Sequence, residues 1–145
     1  MNEIEGTPRA PARHAGVSSA APYHHFASKN DLLAAIAVDG FGRLAGSMRA
    51  ARDANTSRAP TDRLAAIGEA YVRFALADPG VFSVTFRPER VDVTDPAYQA
   101  AGFRSFQQLV DLVAAAQAEG WQPGVPTRDL AAVLWANVHG LATLE

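Results

Sequence analysis

Four apolar stripes at helical spacing constrain this chain more than any other feature. Leu33, Ala37, Phe41, Leu44 and Met48 form the first, and Leu64, Ile67, Tyr71 and Phe74 the second. Phe103, Phe106, Val110, Val113 and Ala116 form the third, and Leu130, Leu134, Val138 and Leu141 the last. Side chains three or four positions apart share one face of an α-helix, whereas a half-buried strand alternates every two. Stripes of this kind hold their shape only when packed face to face, so the expected fold is all-α, a helical bundle around one core.

The punctuation between the stripes agrees with that reading. Ser28-Lys29-Asn30-Asp31 resembles a capping box with Asp in the place of Glu, and it opens the first long helix. Asp53 to Pro60 is small and polar, as a linker is, and Asp78-Pro79-Gly80 stops the second helix. Arg87 to Asp95 reads as a loop. The third long helix ends near Gly120, Pro123 to Pro126 make a turn, and Thr127 is expected to cap the last helix. Val81 to Phe86 has the composition of a strand, yet no second strand exists to pair with it, so a short buried helix is expected there. A further short helix is expected from Ser19 to Phe26, with Ser18 as its N-cap. Met1 to Arg13, with Gly6, Pro8 and Pro11 and no periodicity, reads as an irregular arm.

Composition excludes several kinds of chemistry. The chain has 145 residues and no cysteine, so disulfides, thiolate nucleophiles and cysteine-ligated zinc are ruled out. Its apolar runs fall short of a membrane span, and Glu3 and Glu5 interrupt any secretory leader, so no membrane partner and a cytoplasmic location are expected. His14, His24 and His25 lack nearby carboxylates, and adjacent histidines on a helix point apart, so no metal site is expected. No Ser/His/Asp set, paired carboxylates or Gly-rich phosphate loop can be defended. The expectation is therefore no catalytic residue, no cofactor and no enzyme.

Charge is unevenly spread. The overall net charge is -2, but residues 1–60 carry seven Lys/Arg against five acids, a net of +2, and the remainder carries -4. Between Gly6 and Asn30 there are Arg9, Arg13, Lys29 and three histidines, with no carboxylate. A polyanion would prefer this end of the molecule. Ala15-Gly16-Val17-Ser18-Ser19-Ala20-Ala21-Pro22-Tyr23-His24-His25-Phe26 describes a tight turn and a short helix that is small at its start. Such a helix can press into a major groove or form an ordinary helical corner with Tyr23 and Phe26 inside.

In order and spacing, Gly-Val-Ser, Ala-Pro-Tyr, His-Phe, Ser-Lys and Leu-Leu (within Gly16 to Leu33) resemble the recognition helix and following helix of tetracycline-repressor-type (TetR) regulators. Farther on, Ala70-Tyr71-Val72-Arg73-Phe74-Ala75 and Trp135-Ala136-Asn137-Val138-His139-Gly140-Leu141-Ala142 are similar to the C-terminal domain of a Trp-His-Gly subclass. The resemblance covers Ala15 to Glu145. It implies a partial helix-turn-helix DNA-binding region over 15–50, after an arm over 1–14, and a ligand-binding and dimerisation domain over 51–145. It places Ser18, Ser19 and Ala20 at the groove-facing helix start, Tyr23 and His25 on phosphates, and Lys29 at the next helix start, where the helix dipole also favours an anion. The family sets two helices before the Gly-Val-Ser turn, which Ile4 to Arg13 do not supply, so an N-terminally truncated member is expected.

For the C-terminal part, the resemblance implies a pocket for a small apolar effector, for which Tyr71, Phe74, Phe82, Phe86, Phe103, Phe106, Trp135 and His139 are the candidates. The same rings can equally be core, and His139, one turn after Trp135, can be a structural histidine. The functional expectation is a homodimeric repressor that leaves operator DNA when an effector binds. Its alternative is a helical sensor or dimerisation fragment without autonomous DNA binding.

Overall fold

The computed structural model describes residues 26–144. These residues form five helices and no strand: α1 Lys29–Ala54, α2 Pro60–Ala77, α3 Pro79–Phe86, α4 Pro96–Ala118 and α5 Thr127–Thr143. The all-α architecture therefore holds, including the short helix at Val81–Phe86. The expected Ser19–Phe26 helix lies, but for Phe26, outside the described residues.

Helix α1 begins as its sequence requires. Ser28 is extended, and its hydroxyl accepts the Asp31 amide at 3.1 Å while donating to the Asp31 carboxylate at 2.8 Å. This is a shortened capping box, in which Asp31 reaches the Ser28 hydroxyl rather than its amide. Ala37, Phe41, Leu44 and Met48 of the expected stripe are all buried. The helix persists through Ala54, and Pro60 already starts α2, so the linker is shorter than the sequence suggests. Helix α1 also runs unbroken through residue 50, the domain boundary read from the sequence. Its first half packs through Leu33, Ile36 and Ala37 on Val84, Val91 and Tyr98, and its second half enters the main core with Leu44 and Met48.

Asp78 joins the ends of two helices. Its side chain accepts the Val81 amide at 3.1 Å, capping α3, and pairs with Arg43 of α1 at 3.0 Å. Pro79 then occupies the first turn of α3, where a missing N–H costs nothing. Helix α3 meets α1 at Gly40, where a Cβ would fall 2.0 Å from the Thr85 hydroxyl.

Two expectations need correction. On α4 the buried face is Ala101, Ser105, Leu109, Leu112, Val113 and Ala116, and Phe103 is 59% exposed. The helix turns its small residues toward α1: Gly102 lies so close to the Phe41 ring that a Cβ would sit 3.3 Å away, and Gln108 donates to the Ala45 carbonyl at 2.8 Å. Packing of the Phe41 ring against Gly102 thus goes with an α4 rotation that leaves Phe103 outside. Thr127, expected as a cap, is instead the first residue of α5; its hydroxyl donates to Gln117, whose amide donates to the Gln122 and Val125 carbonyls. The turn between α4 and α5 is thus tied from the α4 side.

Helix α1 packs on α2, α3 and α4, and α5 packs on α2 and α4. The shared core contains Leu44, Met48, Ile67, Tyr71, Phe74, Phe82 and Leu112. No described helix is long and apolar enough to cross a membrane.

Candidate functional site

Two pairs of aromatic residues, each spaced by one helical turn, converge on Tyr71. Phe82 and Phe86 come from α3, and Trp135 and His139 from α5. Trp135 meets the Tyr71 ring edge-on at 5.3 Å between centroids, and Phe82 does so at 6.1 Å. His139 packs 4.9 Å from Phe86 and 5.5 Å from Phe82. Edge-to-face arrangements of this kind favour fixed ring positions beyond what area burial gives.

Tyr71 is 1% exposed, and its hydroxyl lies 2.8 Å from His139 Nδ1. The pairing satisfies the hydroxyl of a buried phenol. Burial raises the Tyr71 phenol above its ordinary range and lowers the His139 imidazole below 6.5, so both groups are held neutral at pH 7.

Beside this pair is a small, partly open cavity of about 40 Å³. Its walls are Leu64, Ile67, Gly68 and Tyr71 of α2, Leu134, Trp135 and Val138 of α5, Leu109 of α4 and Met48 of α1. Gly68 lets α2 and α5 close together, since a Cβ there would stand 3.1 Å from Val138. The cavity is apolar apart from Tyr71, a setting suited to an apolar ligand.

Among the eight pocket candidates, Tyr71, Phe82, Phe86, Trp135 and His139 are brought together. Phe106 touches the group through Trp135 at 5.9 Å, with Arg128 over its other side at 5.3 Å. Phe74 is buried in the same core but faces Arg43, 5.6 Å from its ring. Phe103 stands apart on the surface. The aliphatic walls of the cavity were not singled out in the sequence, although Met48, Leu64, Ile67, Leu134 and Val138 all sit on the helical stripes. Phe41 and Tyr98 also join the rings, Phe41 5.3 Å from Phe86 and Tyr98 5.5 Å from Phe41. Tyr98 had no signal beyond its type, because it is placed by a hydrogen bond to the Thr85 carbonyl.

Of the nucleic-acid candidates, Lys29 is exposed at the first turn of α1. Ser18, Ser19, Ala20, Tyr23 and His25 lie outside the described residues.

Residues 64–145 match the family model "Tetracyclin repressor-like, C-terminal domain", and residues 9–36 match "Bacterial regulatory proteins, tetR family". Among solved structures, the chain is similar to one described as "Structure of a protein with unknown function from Rhodococcus sp. RHA1". The two share 37% identity with a TM-score of 0.77, over 92% of this chain and 68% of that one. No curated protein matches the chain.

Proposed function

The chain belongs to the TetR family of bacterial regulatory proteins and is a TetR-type transcriptional regulator; we propose that it is a homodimeric repressor released from operator DNA by a small apolar effector. One observation carries the reading: Met48 of α1 is part of the cavity wall, while the same helix begins at Lys29, beside the segment matched to the DNA-binding family model. From Lys29 to Met48, α1 spans about 28 Å at 1.5 Å per residue, long enough to carry a displacement from one region to the other.

The cavity's size supplies the mechanism. Drug-sized ligands occupy roughly 300–1,000 Å³, far more than the 40 Å³ of this cavity. An effector must therefore spread α2, α4 and α5 and push Met48 outward. It shifts the protein toward the released state only as far as it prefers the expanded form. In the DNA-bound form, Ser18, Ser19 and Ala20 are assigned to the major groove, and Tyr23, His25 and Lys29 to phosphates. A two-fold dimer would present two such heads to a palindromic operator.

For dimerisation the support is the outer face of α5. Ala132, Val133, Ala136, Gly140 and Leu141 are exposed there, with Val133 and Leu141 each 58% exposed. Ala132, Ala136 and Gly140 recur every four residues and allow a second helix to approach closely.

Fluorescence anisotropy of the full chain on DNA flanking its own gene, at several salt concentrations and beside a scrambled duplex, tests the reading. The expected result is preference for the native duplex, with a Lys29→Ala variant binding more weakly on both duplexes and showing a shallower salt slope. Equal or absent binding would leave only the sensing and dimerisation roles.

A further inference from the structure

His139 also lines a second, open cleft of about 230 Å³ between α3 and the end of α5, which Tyr71 does not line. Its walls include Phe82, Ser83, Phe86, Arg87, His139 and Thr143, and none of its lining residues is acidic. We propose that this cleft is a separate binding site for a small aromatic carboxylate, its acid group held by Arg87 and the outer nitrogen of His139 and its ring laid against Phe82 and Phe86.

The charge of the cleft selects the acid group. Arg87 is its one charged residue, and the ion pairs among the described residues leave that guanidinium without a carboxylate partner. A guanidinium presents a planar fork that matches a carboxylate at two points. One full positive charge suits a monoanion better than a phosphate dianion. His139 adds a directed contact. Its Nδ1 is engaged with Tyr71 at 2.8 Å, and the two nitrogens of an imidazole point to different sides, so Nε2 is directed away from Tyr71. Ser83 supplies a hydroxyl that donates to no group among the described residues, whereas Thr143 already donates to the Gly140 carbonyl at 2.9 Å.

The floor selects the ring. Phe82 and Phe86 lie 4.9 Å apart between centroids and present an aromatic surface on the same side as the cation. An apolar cavity of about 150 Å³ is enough for one benzene ring, so 230 Å³ accommodates a ring with its carboxylate. The aromatic group and the Tyr71–His139 bond form the wall between cleft and cavity, which keeps the two sites distinct. They remain linked through one proton: a carboxylate at Nε2 favours N–H on that nitrogen, which leaves Nδ1 to accept from the Tyr71 hydroxyl.

Benzoate titrated into the full chain by calorimetry, with Trp135 emission followed in parallel, tests the site. The expected result is saturable binding of one benzoate per chain, weakened at least about tenfold in Arg87→Gln and for the neutral isostere benzamide. Arg90→Gln, a neighbouring arginine outside the cleft lining, retains full affinity. A change in the His139 Nε2 nitrogen resonance on saturation places the ligand. Equal affinity for benzamide, unchanged affinity in Arg87→Gln, an unmoved His139 signal, or no binding would each overturn the proposal. None of these readouts involves DNA, so they stand apart from the repressor reading.

Discussion

At the scale of single residues, the Tyr71–His139 bond is the most informative contact. Tyr71→Phe keeps the ring and its packing but leaves His139 Nδ1 facing an apolar wall. The expected loss in stability is about 1 kcal/mol, measured by urea denaturation at pH 7.5. Burial of the same histidine predicts a pH dependence. Burial lowers the His139 pKa in the folded chain below 6.5, so the unfolded chain takes up the proton first as acid is added. The contribution is complete above about pH 6.5 and is lost as pH falls from there toward the lowered folded value. Urea midpoints at pH 7.5 and 5.5 should differ less in His139→Phe than in the natural chain. Asp78, held below 3.8 chiefly by the Val81 amide and also by Arg43, loses its contribution only at more acidic pH and does not obscure this window. That Trp135 and His139 share one helix face, and that Tyr71 lies on the stripe of its own helix, was legible in their spacing. Their partnership across 68 positions was not, because nothing local to either segment encodes the distance between two helices.

At the scale of elements, the junction of α1 and α3 shows what patterns omit. Gly40 sits in the interior of a helix, where its type is locally unfavourable. The structure explains it: the Thr85 hydroxyl occupies the space a Cβ would need, 2.0 Å away, and Thr85 itself is fully buried with its hydroxyl donating to the Val81 carbonyl at 2.8 Å. Gly40→Ala is expected to destabilise the chain by about 1–3 kcal/mol despite alanine's better helix propensity, as overpacking does. Thr85→Ala in the same chain should recover part of that loss, and thermal denaturation of the single and double variants reads it out. The four stripes announced four long helices correctly because amphipathic periodicity is local. Val81–Phe86 was open between strand and helix on composition and is helical because Asp78 caps it and α1 covers it. Phe103 was misassigned to the interior because periodicity gives a helix its period but not the rotation of its buried face, which here follows the small residues of α4.

At the scale of the whole molecule, α1 and α5 define what the protein can do. Helix α1 crosses from the region beside Lys29 to the cavity without a break, so no flexible joint absorbs motion between them. Helix α5 contributes both to the aromatic cluster on its inner side and to the exposed apolar face on its outer side. If that outer face is the dimer surface, sedimentation should report a dimer for the natural chain. Val133→Glu with Leu141→Glu should then yield a monomer with unchanged helical circular dichroism, since both side chains are exposed. A monomeric natural chain would remove the dimer from the mechanism.

The sequence by itself determined the class of fold, the number of long helices, their approximate ends and the family, because periodicity, caps and motif spacing are properties of neighbouring residues. Only the tertiary structure decided that five of eight candidate aromatics meet, that Phe103 does not join them, that the cavity is small, and that Arg87 and His139 border a common cleft. Those outcomes depend on how closely helices approach and how they are rotated about their axes, and both are set by small residues such as Gly40, Gly68 and Gly102, whose importance comes from the atoms packed against them.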